Sequence, residues 1–139
     1  PFVKGFVKSN KLQDTVFVLG KYPIEAMASF FEKSSVLLVS LKDKSIFNLT
    51  VPAKLQAYMS AKKPILGFLN GEGAQNIKEA NCGFSVPAGD YIKLSKKIME
   101  MSKMDSNELE VLGNNGFDYY NEFYKLNNCI SHLEKILNE

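Results

Sequence analysis

Apolar residues follow two rhythms along this chain: short unbroken runs, and longer stretches in which they recur three and four apart. The first suits strands buried on both faces of a parallel sheet, the second helices with one buried stripe. Phe2 to Leu12 is of the second kind, with apolar residues at 2, 3, 6, 7 and 12. A turn at Gln13-Asp14 leads to the run Thr15 to Leu19, which reads as a buried strand closed by Gly20. Ile24 to Glu32 reads as a short helix and Val36 to Val39 as a second strand. After a polar loop, 40–48, the pattern predicts a helix over Val51 to Ala61. Pro52 stands near its start, where a missing N–H leaves no bond unmade. Pro64 to Phe68 is a third strand, Asn70 to Gly73 a turn, and Ala74 to Ala80 a helix. A fourth strand, Gly83 to Val86, ends at Pro87-Ala-Gly-Asp90, with Asp90 capping a helix to about Met101. Ser106 to Leu137 is helical, in two pieces broken near Tyr124.

Runs and helices that alternate in this way predict an α/β fold, a Rossmann-like parallel sheet flanked by helices and joined by right-handed crossovers. The 139 residues fit one domain, and a chain of this size buries roughly two-thirds of its unfolded surface without staples. The opening on a helix is unusual for such a unit and leads to the expectation of a domain truncated at its N-terminus. No apolar run approaches the roughly 20 residues of a membrane span, and Pro1 to Gly5 has no signal-peptide pattern.

The net charge of +2 is too small and too evenly spread to argue for nucleic acid. Cys82 and Cys129 lack any ligand spacing with His132, the one histidine, which sits in a polar helical tail. Reduced structural thiols in a cytoplasmic protein are expected, and neither a zinc site nor a Cys/His nucleophile pair.

Ligands of open parallel sheets bind at the carboxyl ends of the strands. The most informative loop there runs from Asn48 into the helix at Val51. A helix start offers unpaired amides and partial positive charge to a phosphate. Thr50, Val51 and Ala53 stand at that start, and Lys54 lies within about one turn of it. The same residues also make an ordinary helix cap and a solvated surface lysine. Glu72, between Gly71 and Gly73, is either part of a plain tight turn or a carboxylate facing a ligand.

Four segments, in order, resemble the sugar-nucleotide domain of family 4 glycosyltransferases. Val16 to Gly20 resembles the family's strand ending in glycine, with Tyr22-Pro23 after it. Ser34 to Ser40 resembles its alanine-aspartate-valine strand. Thr50 to Ile65 resembles its leucine-glutamate-alanine-methionine-alanine helix and the following proline-valine. Gly83-Phe-Ser-Val-Pro-Ala-Gly-Asp90 matches its glycine-x-x-valine-proline-x-glycine-aspartate strand and cap. Leu41-Lys42-Asp43 and Thr50-Val-Pro-Ala-Lys54 are similar to a bacterial surface-polysaccharide subgroup that includes N-acetylfucosamine transferases.

The resemblance implies the C-terminal half of a two-domain GT-B enzyme, one that transfers an N-acetylamino sugar from a UDP-sugar with retention and without a metal cofactor. No Asp-x-Asp motif is present. It also implies a separate acceptor-binding domain, so that this polypeptide alone would transfer nothing. The acceptor would be lipid-linked or saccharide, and the parent would work in the cytoplasm or peripherally on the inner membrane face. In that parent the last helix, Lys125 to Leu137, would cross toward the acceptor domain, leaving some of Phe117, Tyr120, Phe123 and Tyr124 exposed here. By the same resemblance Tyr22 would contact the uracil, Thr50, Val51, Ala53 and Gln56 the nucleotide, and Glu72 the sugar or acceptor.

Where the family carries two glutamates with seven residues between them, this chain has Asn48 and Gln56. Gln56 keeps an acceptor oxygen and gains a donor, so it can still bond a ribose diol, without the charge-assisted strength of a carboxylate. Asn48 can touch a sugar hydroxyl but cannot act as a carboxylate nucleophile. Charge growing on the β-phosphate would then fall to the helix start and Lys54. Two other readings stay open: a non-catalytic nucleotide-binding or interaction module, favoured by the loss of both carboxylates, and an enzyme resembling UDP-N-acetylglucosamine 2-epimerase, although this chain has no histidine suitably placed for that chemistry.

Overall fold

The computed structural model describes residues 2–138; Pro1, part of the opening read above, and Glu139 lie outside them. The chain begins with helix α1 (Phe2–Ser9) and continues without regular structure to a 3-10 turn (Ile24–Ala26) and α2 (Met27–Lys33). Then follow β1 (Leu37–Ser40), a short α3 (Ser45–Asn48), α4 (Ala53–Ser60), β2 (Ile65–Phe68), α5 (Glu72–Glu79) and β3 (Gly83–Val86). Three helices end the chain: α6 (Tyr91–Met101), α7 (Ser106–Phe123) and α8 (Leu126–Leu137). The strands form one parallel sheet in the order β1-β2-β3, with Leu37 beside Ile65 and Ile65 beside Gly83.

Side chains alternate across a strand, so this register sends Leu37, Val39, Ile65 and Gly67 to one face. Val39 and Ile65 there meet Leu55 and Met59 of α4, Ile77 of α5, and Leu69, Ala80 and Cys82, forming the core. Burying a side chain of the Leu or Ile class contributes roughly 1.5–3 kcal/mol, so this cluster holds the domain together. Helix α7 lies over α4, and Gly113 lets it approach so closely that a Cβ there would stand 2.3 Å from the carbonyl oxygen of Lys62. The opposite face carries Leu38, Leu66 and Phe84; α6 packs on its β3 edge, with Lys97 in cation–π contact 4.7 Å from the centroid of the Phe84 ring, and leaves Leu38 exposed.

The start and end of the helices follow their local chemistry. Asp90 caps α6 as expected, accepting from the Lys93 amide at 2.9 Å. Asp105 and Glu108 close a reciprocal capping box on α7. Helix α7 stops at Tyr124, as the pattern of the final segment predicted.

One expectation is corrected. Thr15 to Leu19 is not a strand: its first residues turn back on Leu12 through amide bonds, and Val16, Phe17 and Leu19 are exposed. Strand propensity is expressed only against a neighbouring strand, and among the described residues this run has none. The sheet therefore has three strands where four were expected. Of the four aromatics expected to be exposed in part, Phe123 is the exposed one. Tyr120 and Tyr124 pack against the core, and Phe117 lies under Lys62. Phe123 is exposed, together with Leu126, Ile130, Leu133 and Leu137 of α8, which recur at helical spacing along one stripe. Among the described residues no helix is long and apolar enough to cross a membrane.

Candidate functional site

Beyond the carboxyl ends of β1 and β2, the starts of α4 and α5 converge on the loop 48–52. The convergence is set by two glycines. Gly71, at φ +70°, is pressed against Asn48; a Cβ at Gly71 would stand 2.0 Å from the Asn48 carbonyl oxygen. At Gly73 a Cβ would meet Leu69 at 2.5 Å and the ring of Pro52 at 3.1 Å. No other residue fits at 71, because the backbone is left-handed there and the space is already filled by backbone. The corner after β2 is also tied to the loop after β3, since Asn70 accepts from the Ala88 amide at 3.1 Å.

Neither helix start is capped by a side chain. In α4 the Leu55 amide turns back to Pro52, while the amides of Ala53 and Lys54 have no hydrogen-bond partner among the described residues. In α5 the Gln75 amide bonds Gly71, and the amides of Glu72, Gly73 and Ala74 are likewise unpartnered. Two sets of free amides, each carrying the partial positive charge of a helix start, thus lie side by side. The α5 start already holds the Glu72 carboxylate in its first turn. A second anion is repelled there, so a phosphate fits the α4 start better, and Glu72 suits a hydroxyl-bearing ligand.

The candidate residues fall unevenly around this corner. Asn48 is half-buried at the end of α3, its amide bonded to the Lys44 carbonyl. Thr50 is exposed, and its hydroxyl donates to the Phe47 carbonyl at 3.2 Å instead of capping α4, whose N-cap is Pro52. The Val51 side chain packs on the core, so only its backbone is free to meet a ligand. Ala53 and Lys54 are exposed and Gln56 is half-buried. Residues 54 and 56 flank the buried Leu55 and point about 200° apart around the helix. Lys54 and Gln56 therefore serve opposite sides of α4, one toward solvent and one toward a flank. Glu72 is exposed as the first residue of α5. Tyr22 is half-exposed and stacks edge-on against Phe30 of α2, with ring centroids 4.8 Å apart.

Electrostatics at the third corner centre on Asp90. The backbone amide of Lys93 and then its side chain hold the Asp90 carboxyl below the usual carboxylate range. Among the described residues no three His, Cys, Asp or Glu side chains are grouped to hold a metal. A cavity of about 630 Å³ lies elsewhere, between Leu38 and Leu66 of the sheet and Ile98, Met101, Met104 and Leu109. It is lined mainly by apolar groups, with Ser35, Ser102 and Ser106 also in its wall, and holds none of the candidate residues.

The pattern of residues alone pointed to loops at strand ends but not to two residues that build the corner. Asn70 was read only as part of a turn, although an asparagine at a strand end is a ready acceptor for a neighbouring loop. Asn76 is buried, at 8% exposure, inside a stretch read simply as a helix. A polar residue at a core-facing helical position was the available signal for it.

No protein-family model matches this chain, and no curated protein matches it in sequence. Among solved structures, sucrose-phosphate synthase from Thermosynechococcus elongatus is similar, with a TM-score of 0.79 and 18% identity. The match covers 98% of this chain and 33% of that protein, so the chain spans about a third of the length of its structural neighbour. At that identity the likeness is one of fold, and the fold is that of a Rossmann-like half of a GT-B structure.

Proposed function

We propose that this chain is the donor-binding part of a glycosyltransferase that takes its sugar from a nucleoside diphosphate, UDP in the first place. The observation that carries the reading is the pairing of two uncapped helix starts around Asn48 to Pro52, held by Gly71 and Gly73. The fold shared with sucrose-phosphate synthase, a protein whose name states the making of a sugar phosphate, supports it. A diphosphate would lie at the α4 start against the amides of Ala53 and Lys54, with the Lys54 ammonium alongside. The Thr50 hydroxyl would turn from the Phe47 carbonyl to donate to the same group, and Gln56 would bond the ribose. Asn48 and Glu72 would face the sugar, and Tyr22 the base.

In such a site the protein's part in bond breaking is to stabilise negative charge as it grows on the leaving phosphate. No carboxylate stands at positions 48 or 56, so retention of configuration would rest on the leaving group and on how the sugar is held. An N-acetylamino sugar, a lipid-linked or saccharide acceptor bound by a further domain, and a parent at the cytoplasmic face of a membrane belong to the same reading, on the resemblance of the motifs. The amides at 48 and 56 favour one alternative, a domain that binds nucleotide sugars without transferring them.

Calorimetric titration of UDP, GDP, ADP and UDP-N-acetylglucosamine into this chain and its Gln56→Ala variant tests the proposal. The expected result is binding selective for uridine nucleotides and weakened in the variant. Equal affinity for all three nucleoside diphosphates, or none for any, would sink the donor assignment. Binding of a UDP-sugar with neither hydrolysis nor transfer by the chain joined to its acceptor domain would select the non-catalytic alternative.

A further inference from the structure

Asn76 sits on the inner face of α5, one turn beyond Glu72, and every polar atom of its side chain is used. Its Nδ2 donates to the Glu72 carbonyl at 2.8 Å. Its Oδ1 accepts from the Tyr124 hydroxyl and, at 3.3 Å, from the Tyr119 hydroxyl. The Tyr119 hydroxyl is equally close to a Glu79 carboxylate oxygen, also at 3.3 Å, so it is shared, and Tyr124 is the committed donor. Tyr124 is the residue at which α7 stops; its amide and that of Lys125 both bond the Tyr120 carbonyl.

We propose that Asn76 is a positioning residue for the donor site and that Tyr124, at the α7–α8 junction, is the group that orients it. The inference rests on the reading of the α4–α5 corner given above. A buried amide must find partners for all its polar atoms, and an apolar side chain would fill the same place without that demand. What the amide adds is direction. It fixes the rotation and axial position of the first turn of α5 from the core side. On the outer side of that turn there is no slack, because Gly71 abuts Asn48 and Gly73 abuts Pro52. A small displacement of α5 therefore passes directly into the loop at Asn48 and the start of α4. Burial pushes the Tyr124 hydroxyl up to about 12, so it remains a donor across the neutral range. The last turn of α7 is thereby joined mechanically to the free amides of the site.

Tyr120 supplies a matched control. It is also half-buried against the core and next to Tyr124, but its hydroxyl makes no hydrogen bond among the described residues. The experiment compares Tyr124→Phe with Tyr120→Phe in this chain, recording the backbone amide resonances of Gly71 and Gly73 and the affinity for UDP. Tyr124→Phe should move both glycine resonances and weaken UDP roughly three- to tenfold, the worth of one neutral hydrogen bond. Tyr120→Phe should do neither, even where it lowers stability. Unmoved glycine resonances in Tyr124→Phe would overturn the proposal, as would unchanged UDP affinity against a wild type that binds. A wild type that binds no UDP instead refutes the donor-site reading, and the glycine resonances then decide the positioning alone.

Discussion

Val16 to Leu19 and Ile65 to Phe68 are apolar runs of equal length in one molecule, and their fates differ completely. The second is the central strand, paired on both sides, with Ile65 and Leu66 buried. The first pairs with nothing, and its Phe17 is 71% exposed. Composition does not separate them; if anything the first run, free of glycine, is the better strand former. What separates them is company. Ile65 to Phe68 lies between two strands and beneath α5, so its amides and its side chains are satisfied together. The run at 16–19 has neither partner strand nor covering helix among the described residues. A strand is thus a property of an assembly, and a run of apolar residues states only a capacity for one.

The contrast can be broken most forcefully at its centre. Ile65→Ala should cost about 2–5 kcal/mol in urea denaturation, since the side chain is fully buried in the core cluster. A cost below about 1 kcal/mol would mean that the sheet is not the stabilising element. Next in size, Gly71→Ala should cost at least roughly 1–3 kcal/mol through backbone strain, with further loss from its overlap with Asn48. It should also abolish nucleotide binding if the corner is the site, and a variant of wild-type stability would show the corner to be loose.

Alkaline titration sharpens the same contrast by locating the buried groups. Burial pushes the Cys82 thiol up from 9.0 to about 12 and the Tyr124 hydroxyl up from 10.0 to about 12. Both folded values lie above the unfolded ones, so the unfolded chain ionises first as pH rises. Stability is then full below pH 9 and falls between pH 9 and about 12, by at most about 1.4 kcal/mol per pH unit for each group. Denaturation midpoints that stay flat across this window would place neither group in the core. The smallest effect is expected at the unpaired run: Phe17→Ser should change stability by no more than about 0.5 kcal/mol. A larger loss would show that the run is packed in solution.

Much of the fold was legible because its local signals agree with one another. Gly83 to Val86 matched to the residue, and the cap at Asp90 and the break near Tyr124 were each marked by local chemistry. The failure at Thr15 to Leu19 has a different origin, since pairing is a long-range fact that no window of residues contains. The site was legible to the level of loops and no further. Asn48 and Glu72 could be placed at strand ends. That Gly71 would seat itself on Asn48, or that Lys54 and Gln56 would point apart, depends on how two helices cross. The partners of Asn76 were unreadable for the same reason, because Tyr119 and Tyr124 lie far along the chain.

The order β1-β2-β3 in the sheet is also the order of the strands in the chain. Among the described residues β2 and β3 therefore each pair with the strand made just before, across α3 and α4 in the first case and α5 in the second. Such local wiring lowers the entropy of closing each contact and favours rapid folding. On a ribosome, β2 could dock on β1 as soon as β2 itself had emerged behind α4, and β3 could follow behind α5. Only α7, which closes over α4 and Cys82, must wait for most of the chain, so its docking would be the committing step.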